Sequence, residues 1–173
     1  QMAADLQEAI ARAGGESLAF AVRRGEKDVL TGVSGFVQDP ATPLRKRVEV
    51  IEALGEVKTQ GAGQYLTTIL RNEHPEAVKN AAVSALQIYE DAPNVADSLI
   101  SFAKKTKEPV RVYNVLASRS GWAEKLIAAV KSAEVTASSM PLEIVDKLRA
   151  DEKLAAEVEE VFGPKRALDK AAV

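Results

Sequence analysis

The stretch His74-Pro75-Glu76-Ala77-Val78-Lys79-Asn80-Ala81-Ala82-Val83-Ser84-Ala85-Leu86 decides the fold of this chain. Proline at the start of a helix costs little, because its missing N–H would have no intrahelical partner there. Behind it, Val78, Ala81, Ala82, Ala85, Leu86 and then Tyr89 recur at helical spacing and form one apolar face. Most of that face is alanine, which favours helix and lets a neighbouring helix come close. A helix from Pro75 to about Tyr89 is therefore expected.

The same opening recurs on both sides. Pro43, Pro75, Pro109 and Pro141 are spaced by 32, 34 and 32 residues, each ahead of an amphipathic segment. A period in the low thirties with a helix start at each beat indicates stacked helix pairs. Pro43 opens a helix to about Val57 with the stripe Leu44, Val48, Ile51 and Leu54. Gly61 and Gly63 break it, and a returning helix begins at Tyr65. Ala53-Leu54 and Ala85-Leu86 then stand in register, 32 residues apart. After Pro93-Asn94 a partner helix carries Val95, Leu99, Ile100 and Phe102. The third beat has a short helix from Pro109 to about Ser118 and a second with Trp122, Leu126, Ile127 and Val130. The fourth runs from Pro141 through Val145 and Leu148, and a last helix covers about Glu152 to Phe162, stopped by Gly163-Pro164.

Upstream the pattern weakens. Leu6, Ile10 and Ala13 suggest a helix closed by Gly14-Gly15, followed by helices at Leu18–Val22 and Val29–Val37, the latter interrupted by Gly32 and Gly35. Residues 1–41 read as a degenerate capping repeat, since terminal units of a repeat array deviate. Repeats follow at about 42–74, 75–108, 109–140 and 141–164, and 165–173 is a tail. The expected fold is all-α, a right-handed α-α superhelix (solenoid).

The quoted stretch resembles the first helix of a HEAT repeat: a proline, a Val-Lys pair, small residues and an Ala-Leu pair. Pro43, Arg47-Val48 and Ala53-Leu54 echo it. A second likeness lies in Leu116-Ala117-Ser118-Arg119-Ser120-Gly121-Trp122-Ala123, Leu148-Arg149-Ala150-Asp151, Leu154-Ala155-Ala156 and Val161-Phe162-Gly163-Pro164. This order is similar to the helical segment between the β-propeller and the c-type cytochrome of planctomycete-type membrane-bound dehydrogenase proteins. The likeness implies a spacer in a multidomain redox protein and an extracytoplasmic location. The chain contains no Cys-x-x-Cys-His and no propeller portion, so neither haem binding nor redox activity passes to any residue here.

With 46% apolar and 28% charged residues, a packed domain rather than a disordered chain is expected. A net charge of −2 argues against a general nucleic-acid binder, which carries a basic excess. The absence of cysteine removes disulfides and thiolate chemistry. No apolar run reaches the roughly 18 residues of a membrane span, so no direct membrane insertion is expected. Gln1-Met2-Ala3-Ala4-Asp5 lacks the basic start and apolar core of a signal peptide, and a Gln ahead of the first Met reads as a piece of something longer.

His74, the sole histidine, has no spaced partner for acid–base work and reads as a loop or capping residue. The carboxylates Asp5-Glu8, Glu49-Glu52 and Glu157-Glu159-Glu160 read as solvated helix faces, and no metal-ligand set is evident. Trp122, Tyr65, Tyr89 and Tyr113 sit on apolar stripes and read as core rather than as a base-stacking platform. Gly61-Ala62-Gly63 and Gly32-Val33-Ser34-Gly35 follow no strand and lack the Lys-Ser/Thr of a phosphate loop.

The basic residues remain. Arg47, Lys79 and Arg111 fall within four residues of successive prolines and could line one ridge; Lys104, Lys105 and Lys107 form the densest cluster. Together with Arg71 these are the candidate partner-binding residues, for an acidic partner or a phosphate backbone. The second helices, about Tyr65–Arg71, Asn94–Lys105 and Trp122–Lys131, are expected to line a concave face.

The expected function is that of a non-enzymatic scaffold, spacer or protein-interaction module with no cofactor, acting on a protein partner or on flanking domains of its own chain. The competing reading is a nucleic-acid-binding module like the DNA-repair glycosylases built of HEAT-like repeats. A bilin-lyase type of enzyme also uses helical repeats, and no residue here specifically suggests it.

Overall fold

Among residues 18–164, which the computed structural model describes, every regular element is helical and no strand occurs. The expected helix at Leu6–Ala13 and the tail at 165–173 lie outside the described residues. The chain divides into two compact units, at 1–107 and 108–173.

In the first unit, residues 18–23 are helical. There follow α1 (Val29–Gln38), α2 (Leu44–Leu54), α3 (Ala62–Arg71), α4 (Glu76–Ala85) and α5 (Val95–Ala103). Val78, Ala81, Ala82, Ala85, Leu86 and Tyr89 are all buried, as their spacing predicts. The helix itself ends earlier, at Ala85, and tightens into a 3-10 turn over Leu86–Ile88.

Pro43 and Pro75 act one step before the helix rather than at its first residue. Each has a helix-compatible φ with an extended ψ, and its carbonyl accepts the first helical bonds: Lys46 and Arg47 N–H onto Pro43, Val78 and Lys79 N–H onto Pro75. A capping residue supplies a carbonyl and has no use for its own N–H, so proline loses nothing there. The expected stripe on α2 is displaced: Val50, Ile51, Ala53 and Leu54 are buried, Val48 is half-buried and Leu44 is 46% exposed. Gly32 and Gly35 do not interrupt α1, which is continuous from Val29 to Gln38, with Gly32 buried.

First helices pack on first helices and second on second: α2 lies against α4 and α3 against α5, with α3 also on α4 and α1 on α2. The α2–α4 approach is close enough that a Cβ on Gly55 would stand 2.8 Å from Ala85 Cα. The register shows in the backbone as well. Asp28, Gly61 and Asn94, the N-caps of α1, α3 and α5, all lie in the left-handed region, with φ of 59°, 78° and 61°. They are 33 residues apart each time. Gly, Asn and Asp are the residues that tolerate this conformation most readily.

The second unit contains α6 (Pro109–Leu116), α7 (Ser120–Lys131), a 3-10 turn (Ala137–Ser139), α8 (Leu142–Arg149) and α9 (Ala155–Phe162). Here Pro109 is the first helical residue, while Pro141 is an N-cap whose carbonyl accepts from Ile144 and Val145. Helix α6 packs on α7, α8 on α9, and α7 on α9. Trp122, Leu126, Ile127, Val130, Val145 and Leu148 are buried; Leu142 is 70% exposed.

Candidate functional site

Side chains about 33 residues apart tie different helices together. Arg23 grips the Glu56 carboxylate with both Nε (2.6 Å) and an Nη (2.8 Å), and Lys58 meets Asp91 at 2.9 Å, each pair 33 residues apart. The Tyr89 hydroxyl donates toward the Leu54 carbonyl (2.6 Å), lies 3.1 Å from that of Val57, and accepts from the Thr59 N–H at 3.2 Å. One phenol, just beyond the 3-10 turn that follows α4, thus closes the C-terminal end of α2, where the last helical carbonyls lack intrahelical donors. Burial raises its pKa above the ordinary tyrosine value, and the Thr59 hydrogen bonds offset part of the shift. In the second unit, Lys147 donates to the Asn114 carbonyl at 3.2 Å and Ser120 donates to Asp151.

The basic residues gather at one end of the first unit. His74 is half-buried just ahead of α4. Burial pushes its pKa down, and so do Lys79 in the first turn of α4 and Arg47 in the first turn of α2; Glu73 opposes them. Lys79 Nζ stands 6.0 Å from the Phe102 ring centre on α5. Thr106 donates to the Glu76 carboxylate, which holds the segment after α5 against the first turn of α4. Lys105 and Lys107 flank Thr106 and are exposed, as is Lys104. Arg47, His74, Lys79 and the 104–107 segment therefore share one end of this unit, drawn from α2, α4 and the residues after α5.

Arg71 has a structural partner, and Arg111 lies in the second unit. Arg71, in the last turn of α3, donates to the buried Ser98 hydroxyl at 2.8 Å and so holds α3 to α5. Arg111 is exposed in the first turn of α6 and belongs to the second unit. Arg47 is partly engaged, its Nε donating to the Thr42 carbonyl at 2.8 Å. Tyr89, Tyr113 and Trp122 are buried in the core, as their stripes predict, and offer no stacking platform; Tyr65 is half-buried.

Sequence reasoning missed the interhelical edge of the first unit. A cavity of about 500 Å³ is lined by Glu26, Lys27, Asp28, Lys58 and Gln60 among others. A smaller one of about 180 Å³, with Tyr89 and Asp91, shares Lys58, Thr59 and Gln60. The 33-residue recurrence of Asp28, Gly61 and Asn94 was the signal available for finding it.

Among the described residues no group of three or more His, Cys, Asp or Glu side chains could hold a metal ion, and no helix is long and apolar enough to cross a membrane. No protein-family model, curated protein or solved structure matches the chain.

Proposed function

We propose that this chain is a HEAT-like array of helical hairpins serving as a non-enzymatic scaffold that holds protein partners or flanking domains in fixed geometry. The observation that carries this reading is the 33-residue register of the first unit. It combines α2-on-α4 and α3-on-α5 packing with the left-handed caps at Asp28, Gly61 and Asn94 and the Tyr89 closure of α2. A stack in which each hairpin is locked to the next resists bending, which is what a spacer requires. The reading needs no group to undergo chemistry.

Cysteines introduced at the exposed positions Thr31 and Ser101 can be spin-labelled uniquely, since the chain has none of its own. A single narrow distance distribution between them is the expected result. A broad or multimodal distribution would refute a stiff array. The likeness to the helical segment of propeller–cytochrome dehydrogenases supports a spacer in a redox protein. For that extension the native species must far exceed 18.5 kDa and absorb in the haem Soret band.

A further inference from the structure

We propose that the basic end of the first unit docks a short acidic segment of a protein partner, about six to eight residues long in extended form. This rests on the reading of the chain as an interaction module and names the chemistry of its partner.

Two side-chain contacts assemble the surface. The Thr106–Glu76 bond brings the 104–107 segment to the first turn of α4, and Lys79 Nζ stands 6.0 Å from the Phe102 ring centre on α5. Arg47 and Lys79 stand at corresponding places on the packed helices α2 and α4. The result is a concentration of positive charge on a chain whose net charge is −2. Segregation of this kind steers a partner of opposite sign to one place, where a uniform mixture of charges would not.

The surface suits carboxylates on a peptide better than a nucleic acid. Phe102, the ring beside Lys79, is buried and cannot stack on bases, and the net negative charge repels a long polyanion outside the patch. The length follows from packing. Neighbouring helix axes lie about 8–10 Å apart, so crossing from α2 past α4 to the segment after α5 takes about 20 Å. At about 3.3–3.6 Å per residue an extended chain covers that in about six residues.

The test is fluorescence anisotropy of a fluorescein-labelled octapeptide of alternating Glu and Ser, titrated with the full chain at low salt. Saturable binding is expected, weakening as salt rises because Lys105 and Lys107 are exposed. The combined variant Lys79→Gln/Lys105→Gln/Lys107→Gln should lose about tenfold in affinity, each pair contributing about twofold. Lys27→Gln, an exposed lysine of the same unit away from the patch, should change it by less than about twofold. Should the triple variant lose helicity, Lys105→Gln/Lys107→Gln at exposed positions carries the same comparison. Absence of peptide binding, or equal losses in the patch and control variants, overturns the proposal. Tighter binding of a single-stranded DNA of matched charge also overturns it, in favour of a nucleic-acid ligand. The Thr31–Ser101 distance distribution separates the two levels: narrow with no peptide binding, the scaffold stands and the docking site falls; broad, the scaffold itself falls.

Discussion

Replacing Tyr89 with phenylalanine deletes one oxygen and keeps the buried ring, so it isolates the closure of α2 from the packing of the core. Three backbone groups lose a partner: the Leu54 carbonyl at 2.6 Å, the Val57 carbonyl at 3.1 Å and the Thr59 N–H at 3.2 Å. The Leu54 bond is buried, whereas the Val57 and Thr59 bonds are partly buried. A cavity of about 180 Å³ bordered by Thr59 and Tyr89 gives water a route to Thr59. The expected cost is thus dominated by Leu54, at about 2 kcal/mol within the roughly 1–3 kcal/mol of an unsatisfied buried group. For a chain of this length that lowers Tm by about 4–8 °C. Tyr113→Phe is the matched control: its hydroxyl meets the exposed Ser139 hydroxyl, at 3.2 Å, and water replaces that contact at a cost below about 0.5 kcal/mol. Urea unfolding followed by far-ultraviolet circular dichroism measures both. If Tyr89→Phe cost no more than Tyr113→Phe, the closure of α2 by Tyr89 would not be a source of stability. The phenol adds a pH signature. Its folded pKa is raised above the ordinary value of 10.0 because its proton-bound form is favoured in the fold. That contribution is present below pH 10 and is lost as pH rises through the raised value, so the gap between native protein and Tyr89→Phe should narrow at strongly alkaline pH.

Other perturbations probe the register and the basic end. Gly55→Ala should destabilise by about 1–3 kcal/mol, because the new Cβ meets the Ala85 backbone at 2.8 Å and no rotamer relieves it; thermal melting checks this. Ala133→Gly should stabilise by about 0.5–1 kcal/mol, since Ala133 follows α7 with φ of 59° and glycine adopts that conformation without strain; an unchanged or lower urea midpoint would contradict it. His74 has a folded pKa below its ordinary 6.5, so the fold disfavours its charged form and stability falls as pH drops from neutral through that value. His74→Gln should flatten the decline between pH 7 and pH 5.5, read from urea midpoints at each pH.

The helices were legible because they rest on local patterns. Val78, Ala81, Ala82, Ala85, Leu86 and Tyr89 share one face of a 3.6-residue period, and all of them are buried. Where local and tertiary demands diverge, the sequence pattern misleads. Leu44 belongs to the apolar stripe by spacing, yet at the first position of α2 no neighbouring helix covers enough of it, and it stays 46% exposed. Gly32 and Gly35 look like helix breakers, but burial of Val29, Gly32, Val33 and Val37 on one side of α1 outweighs their low propensity.

The candidate site divides in the same way. Sequence placed Arg47 and Lys79 at corresponding positions behind their prolines, and both bear on His74 in the structure. It could not show that Arg71 is engaged by Ser98, that Thr106 anchors the lysine segment to Glu76, or that Arg111 falls in the second unit. By itself the sequence determined where helices start, which faces they bury and how often the pattern returns, because backbone preference and apolar periodicity act over a single turn or two. Only the tertiary structure decided that Arg71 is tied to Ser98 and that Tyr89 closes α2. Those contacts join groups 27–35 residues apart in the chain, and their partners are set by how the helices pack on one another.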